Sequence, residues 1–445
     1  MIRNALFCFL GTWRSGAMHI PTGLMTPTLA LLLPCLLGPF LACDYENGNP
    51  GSEVGFTVHD SMGLVIAESR QAVWDSLPEH RWSIDTVPLL QVGSVDDSIF
   101  ARVYPVEGAI RLDDGRIVVA GKRHTILWFN DRGEYLFERG KDGDGPGEFR
   151  SISRMIFLGP DSVAAYSGSN RSWTVFDGEG RGNTIRLSAL NRGTLRPGRS
   201  PDGRWLGWLA RTIRAGEPIP ARNTGPSSGV PFLPARELDV AEDKLFSWLV
   251  ALSPDGMHLD TLAEVVGPKG FALMGMPVVT GTAGHIVLGE AQEHALLLLT
   301  PEGTPVRSIR WAGEDLTISP ADHAAWRESL MADRNIRKSM QLSTDPAAVE
   351  QAARAGIAEA RLGARKGAYL ALFADPEEAV WVLLNTFRHE PELYTVINAE
   401  GRYLGEVRMP PNFVLNQVGR DFVLGLWRDE ETDLEFVRMY RIRKP

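Results

Sequence analysis

Residues 112–137 read LDDGRIVVAGKRHTILWFNDRGEYLF, two β-rich runs in which Asp-Asp-Gly and Asn-Asp-Arg-Gly steps recur at hairpin spacing. Such steps mark tight turns between strands, because Gly and Asn/Asp tolerate positive φ. The same paired device recurs along the chain. LGPDSVAAY (158–166) goes with FDGEGRGNTIRL (176–187), and SPDGRWLGWL (200–209) with LSPDGMHLDTL (252–262). TGTAGHIVLG (280–289) goes with LTPEGTPVRSI (299–309), and FADPEEAVWVLL (373–384) with INAEGRYLGEV (397–407). VGRDFVLGLW (418–427) with DEETDLEFVRMYRI (429–442) completes six pairs. Two hairpins per unit make four strands, and six such units predict an all-β, six-bladed β-propeller over residues 82–445. A blade buries its faces only against its neighbours, so the ring must close. WSIDTVPLLQVGS (82–94) is placed to supply the missing outer strand of the last blade and join the two ends of the chain.

Two segments interrupt this rhythm. Residues 212–240 are rich in Pro, Gly and Ser without a period and read as a long surface loop. Residues 319–366 read as a helical insertion between blades four and five. Ser319, Pro320 and Asp322 form a capping-box-like start, with Trp326 and Leu330 on one face. A second helix is expected after Thr344-Asp345-Pro346. Blades need no helices, so this pair is an addition, and a cap over the channel opening is one use for it.

The chain has 445 residues, 44% hydrophobic and 23% charged, ordinary values for a folded protein. Its net charge is −9 with no basic run, which argues against a nucleic-acid partner. All three cysteines, Cys8, Cys35 and Cys43, precede Asp44, so the body can hold neither a disulfide framework nor a Cys-based zinc site. The first acidic residue is Asp44, and LALLLPCLLGPFLAC (29–43) is an uncharged apolar run. This is the pattern of a secretory signal spanning residues 1–43. Its ending FLAC resembles a bacterial lipobox, which implies lipid attachment at Cys43 and a membrane anchor on an otherwise soluble body. Residues 44–81 then read as a tether and N-terminal extension. An uncleaved anchor and simple secretion are the alternatives, the first opposed by Pro27, Pro34 and Pro39.

RGKDGDGPGEF (139–149), followed by an apolar strand and YSGSNRSWTVFDGEG (166–180), resembles the NHL-type repeat of six-bladed β-propellers. Asn170-Arg171, Val175-Phe176-Asp177 and Gly180 fit that pattern, while Tyr166-Ser167 stand where the family often has an aspartate. The other repeats share spacing more than letters. The wider likeness is to secreted bacterial propeller lipoproteins. It implies the fold and leaves the activity open, since propellers host unrelated functions.

Chemistry-bearing motifs are few. GKDGDGPGEF (140–149) lacks the Lys-Ser/Thr ending of a P-loop, and Pro146 occupies a donor position of an EF-hand-like loop. It reads as a blade junction anchored by Phe149, with a loose Ca²⁺ site as the alternative. No GxSxG elbow and no helical zinc spacing occurs. His124, His285 and His294 sit beside strands and read as structural, although one histidine per blade could still converge on a channel metal. The acidic cluster Asp429–Glu435 reads as a solvated hairpin turn. Arg150 and Arg154 open the innermost strand of blade two and are the candidate contacts for an anionic ligand, against a plain salt-bridging role.

The sequence therefore points to an envelope-tethered binding module with an unidentified protein, peptide or glycan ligand at the channel mouth. The alternative is a propeller-type lyase or hydrolase using a channel-bound divalent cation. No organic cofactor is expected.

Overall fold

Each Asp/Asn-Gly step closes a hairpin through its own side chain. Asn130 Oδ1 accepts the backbone N–H of Arg132 at 3.0 Å and of Glu134 at 2.9 Å, and Gly133 takes φ +81°. Asp177 does the same for Glu179 and Arg181, at 3.0 and 2.9 Å. The short polar side chain satisfies turn N–H groups that the ladder leaves over, which is why these residues recur there.

A computed structural model describes residues 55–93, 103–121, 124–187, 198–213, 244–268, 276–331, 336, 340, 343–359, 365–386 and 391–445. The chain opens with the hairpin β1 (Phe56–Ser61) and β2 (Leu64–Ser69), the short helix α1 (Val73–Ser76), and the strands β3 (Ser83–Ile84) and β4 (Leu90–Val92). Blade one follows as β5 (Gly108–Arg111), β6 (Ile117–Gly121), β7 (Thr125–Phe129) and β8 (Tyr135–Arg139). Blade two is β9 (Arg154–Gly159), β10 (Ser162–Ser167), β11 (Ser172–Phe176) and β12 (Gly182–Arg186). Blade three is β13 (Gly198–Arg199), β14 (Trp205–Ile213), β15 (Lys244–Leu252) and β16 (Leu259–Pro268). Blade four is β17 (Val278–Gly281), β18 (Ile286–Gly289), β19 (Ala295–Leu299) and β20 (Pro305–Trp311). Helices α2 (Pro320–Met331) and α3 (Pro346–Glu359) precede blade five, β21 (Tyr369–Ala374), β22 (Val380–Leu384), β23 (Leu393–Ile397) and β24 (Tyr403–Arg408). Blade six is β25 (Phe413–Val418), β26 (Phe422–Arg428) and β27 (Glu435–Arg443).

Six antiparallel-rich sheets result, one per blade, and they form a six-bladed β-propeller. The first strand of each blade is innermost. β5 touches β9 and β25, and β17 touches β13 and β21, so these strands ring the central channel. Closure follows the spacing seen in the sequence: Val92 and Leu90 pair with Val437 and Met439, and Ile84 with Ile442.

The core lies between blades, as a ring of units with two apolar faces demands. Six hydrophobic clusters occur, one at each junction of successive blades. Aromatic pairs mark several of them. Trp173 of blade two stacks on Trp205 of blade three at 4.6 Å, and Trp128 of blade one meets Phe176 of blade two edge-on at 5.5 Å. Leu127 and Phe129 of blade one pack with Phe422 and Leu424 of blade six, so the seam where the chain ends meet is as apolar as the others.

Part of the extension expected over residues 44–81 is built into this ring. β2 pairs in parallel with β20, adding two strands to the outer edge of blade four. Trp74 on α1 is 2% exposed and lies against Gly405 of blade five, where an added Cβ would stand 2.3 Å from the indole. Residues 1–54, including Cys43, and residues 214–240 of the expected surface loop lie outside the described residues. α2 starts as its sequence predicts: the Ser319 N–H donates to Asp322 Oδ2 at 2.8 Å, and Asp322 N–H to Ser319 Oγ at 3.1 Å.

Candidate functional site: a polar pocket on the channel wall

An antiparallel meander puts its first-to-second and third-to-fourth turns at one end. Its second-to-third loop and the connection to the next blade lie at the other. In this protein the two faces of the ring differ accordingly. The first, or turn face, carries the short Asx turns described above. The second, or connection face, carries the blade junctions, the ends of β14 and β15 that face each other, and the helices before β21.

A pocket of about 110 Å³ opens on the channel, lined by inner-strand residues of four blades. Gly108 and Ala109 come from blade one, with Glu107 just ahead of them. Arg154 and Met155 come from blade two with Ser153, Phe373 from blade five, and Leu415 and Asn416 from blade six. The polar members are held from behind. Both Glu107 carboxylate oxygens face His124 Nδ1, at 3.1 and 3.3 Å. The same carboxylate receives the Ile152 backbone N–H of blade two. Burial pushes the Glu107 pKa upward, and the His124 contact offsets only part of that. Ser153 Oγ donates to Tyr166 O at 3.5 Å. Asn416 Oδ1 is buried without a hydrogen-bond partner, although the rest of the residue is partly exposed.

Below the pocket Gln417 bridges the gap between blades six and one. Its Oε1 accepts the Arg111 N–H at 2.7 Å, and its Nε2 donates to Arg111 O at 3.1 Å. A side-chain amide thus meets both backbone groups of one residue where no ladder can form.

The two arginines singled out from the sequence separate. Arg154 lines the pocket and is half-buried. Arg150 stands on the blade-one to blade-two junction, its guanidinium bonded to Asp144 (Nε to Oδ1, 2.8 Å) and its N–H to Asn170 Oδ1 at 3.1 Å. The junction GKDGDGPGEF folds on itself. Lys141 pairs with Glu148 at 3.0 Å, Gly145 N–H donates to Glu148 Oε2 at 2.9 Å, and Phe149 N–H to Lys141 O at 2.9 Å. Phe149 is 0% exposed at the core between blades one and two. Gly140, at φ +78°, leaves the space its ring edge occupies.

His294, His285 and the acidic cluster do not line the pocket. His294 packs edge-on against Trp311, and burial lowers its pKa. The His285 backbone N–H donates to Thr282 Oγ1 at 3.1 Å. Asp429 Oδ1 accepts the N–H groups of Glu431 and Thr432, the turn read from the sequence. Among the described residues no three His, Cys, Asp or Glu side chains converge as a metal site.

Glu107, Met155, Phe373 and Asn416 were not singled out from the sequence. They lie far apart along the chain, and only aligning the six first strands would have brought them together. Glu107 and Ser153 then fall at equivalent positions, one residue ahead of β5 and β9.

No protein-family model and no curated protein matches the chain. Its backbone is similar to several crystal structures. One is a protein of Bacteroides fragilis NCTC 9343 named as an inferred exported protein, at 12% identity and TM-score 0.43, over 85% of this chain and 99% of that one. Another is a DUF4221 member from Bacteroides vulgatus, at 8% identity and TM-score 0.45, over 82% and 99% of the two chains. A third is virginiamycin B lyase from Staphylococcus aureus, at 10% identity and TM-score 0.38, over 81% and 99%. The fold assignment rests on the six sheets themselves.

Proposed function

We propose that the protein is an envelope-tethered binding module that receives a ligand at the channel mouth on the connection face. The observation that carries this reading is the pocket itself. Inner strands of four blades place a carboxylate, a guanidinium, a hydroxyl and an amide beside Met155, Phe373 and Leu415. An apolar wall with a few convergent polar groups on a rigid ring is the usual form of a small-molecule site. Helices α2 and α3 belong to the connection between blades four and five on the same face, where they extend the surface offered to a larger partner. The NHL-like junction and a lipid anchor at Cys43 belong to the same proposal.

A screen of glycans and peptides against the purified chain tests it. Gly108 faces Met155 with ordinary contact distances for an added Cβ, 3.4 Å to the nearest atom, so Gly108→Leu fills the pocket without positive-φ strain. Binding that Gly108→Leu abolishes is the expected result. A ligand bound equally well by this variant would overturn the channel-mouth reading. For the anchor, Cys43→Ala is expected to move the protein from the membrane to the soluble fraction, and unchanged fractionation would remove it.

A further inference from the structure

We propose that β1 is a dimerisation edge, which pairs in antiparallel register with β1 of a second copy of this chain about a two-fold axis at Val58. The proposal is independent of the channel pocket and of any ligand there.

β1 and β2 lie outside the four strands of blade four, so β1 is the free edge of a six-stranded sheet. The hairpin fixes which of its backbone groups are free. Ser61 and Leu64 flank a two-residue turn, and such a pair exchanges both of its backbone hydrogen bonds. Bonding alternates along an antiparallel pair, so Thr57 and His59 also turn their backbone groups to β2. The Arg70 N–H that reaches Gly55 O at 2.7 Å keeps the same alternation. The N–H and C=O groups of Phe56, Val58 and Asp60 therefore point outward, with no partner strand among the described residues.

Such edges are commonly defended by Pro, Lys, a bulge or a covering element. β1 has none of these. It reads FTVHDS, pairs with β2 without a register shift, and is exposed from Thr57 to Ser61. Its one carboxylate, Asp60, sits beside the turn and accepts the Gly63 N–H at 3.1 Å.

The edge is also self-complementary. A two-fold axis at Val58 sets Val58 opposite Val58, Phe56 opposite Asp60 and Thr57 opposite His59, each pair on one face of the joint sheet. In this register all three outward residues of each copy form hydrogen-bonded pairs, about six bonds, and moving the axis by one residue leaves about four. The Val58 side chain, 56% exposed, would cover its twin. Charge fits as well. The Arg402 guanidinium lies over the Phe56 ring at 5.5 Å, and Asp60 of the second copy arrives directly across from that ring. Symmetry repeats this contact, and the paired residues bring no like charges together. A single strand pair is a small interface, so the dimer should be reversible and depend on concentration.

Sedimentation equilibrium of the purified chain over about a hundredfold range of concentration tests this, and a monomer–dimer equilibrium is expected. Val58→Lys sets two ammonium groups opposite each other. Val58→Pro removes an outward N–H while leaving the β1–β2 ladder its bonds. Each should raise the dimer dissociation constant about tenfold or more. Thermal unfolding checks that both variants fold, and either one suffices if the other does not. Asp60→Asn keeps the acceptor for Gly63 and removes the charge, so it should weaken the dimer less and make it less sensitive to salt. A chain that stays monomeric throughout overturns the proposal. A dimer that the Val58 variants leave unchanged does so too, because its interface then lies elsewhere. Salt sensitivity unaltered in Asp60→Asn would overturn the register centred on Val58.

Discussion

The two faces of the ring join neighbouring blades with opposite chemistry. On the turn face, arginines reach carbonyl groups of the next blade. Arg116 donates to Gly178 O, Arg204 to Pro301 O at 2.6 Å, and Arg307 to Ala399 O at 2.9 Å. On the connection face, carboxylates accept backbone N–H groups where the next blade begins. Glu392 takes the Leu415 N–H at 3.3 Å, Glu435 the Val106 N–H at 3.3 Å, and Glu107 the Ile152 N–H. The difference follows from what each face leaves unpaired. Tight turns point carbonyls outward, within reach of long cationic side chains that keep their heads near water. The start of an inner strand instead presents N–H groups inside the ring, where a carboxylate must be desolvated to reach them. That cost appears in Glu107 and Glu392, whose pKa values are raised by burial. Asp375 is the turn-face exception: burial raises it as well, while it accepts the Ala379 N–H at 2.9 Å and the Trp381 indole N–H at 3.3 Å.

The contrast can be broken most severely at the apolar anchor beneath the connection face. Phe149→Ala removes a fully buried ring from the core between blades one and two and is expected to cost about 3–5 kcal/mol in urea unfolding. A loss below ~1 kcal/mol would mean that GKDGDGPGEF is not the anchor of that junction.

Gly405→Ala tests the wedge of the N-terminal segment. The new methyl would meet Trp74 at 2.3 Å at a φ of +150°, so a loss of about 1–3 kcal/mol is expected, with a change in tryptophan fluorescence. An unchanged spectrum would place Trp74 elsewhere.

Arg204→Ala removes the best-enclosed latch of the turn face, with a side chain only 17% exposed and bonded to Asp202, Asp260 and Pro301 O. Its expected cost is about 1–2 kcal/mol; salt should screen the share from the Asp202 and Asp260 ion pairs and leave the share from the Pro301 carbonyl. A loss that vanishes with salt would reduce the latch to surface electrostatics.

The smallest effect is the most diagnostic. Glu392 has a raised folded pKa, so the folded chain holds that proton more tightly than the unfolded chain does. Stability linked to this group is full below the unfolded carboxylate range and is lost as pH rises through the folded pKa. Glu392→Gln keeps an acceptor for Leu415 and Tyr394 and removes the buried charge. It should therefore raise stability at pH 7, with the gain shrinking toward pH 4. A variant less stable than the parent at pH 7 would show that the ionised carboxylate is worth more than its desolvation.

Much of this architecture was legible because the turns are local. Asn130, Asp177 and Asp202 organise loops of a few residues, so their spacing records the blades directly. The closure of blade six was legible too, because residues 82–94 formed an odd β-rich run before the first pair. The hairpin β1–β2 was not read. Its two-residue turn is Met62-Gly63, both at positive φ (55° and 85°), and Met gives no turn signal where Asn or Asp would. The carboxylate latches were beyond reach for another reason. Glu435 and Val106 are 329 residues apart, and no period links an acceptor in one blade to a donor in another. The pocket shares this property, which is why Arg154 was found by its place at a strand start while Glu107 and Asn416 were missed.

The placement of the N-terminal strands also bears on how the chain is made. β2 needs residues 305–311 as its partner, and β3 and β4 need 435–443. During synthesis β2 therefore waits, with an unpaired backbone edge, until residue 311 has emerged, and β3 and β4 until residue 443 has. Contacts of such sequence separation form slowly and leave the waiting strands open to wrong partners. Blades two and three can assemble on the ribosome as they appear, but the ring itself becomes a closed object only when residues 435–443 are free to turn back to residues 83–92.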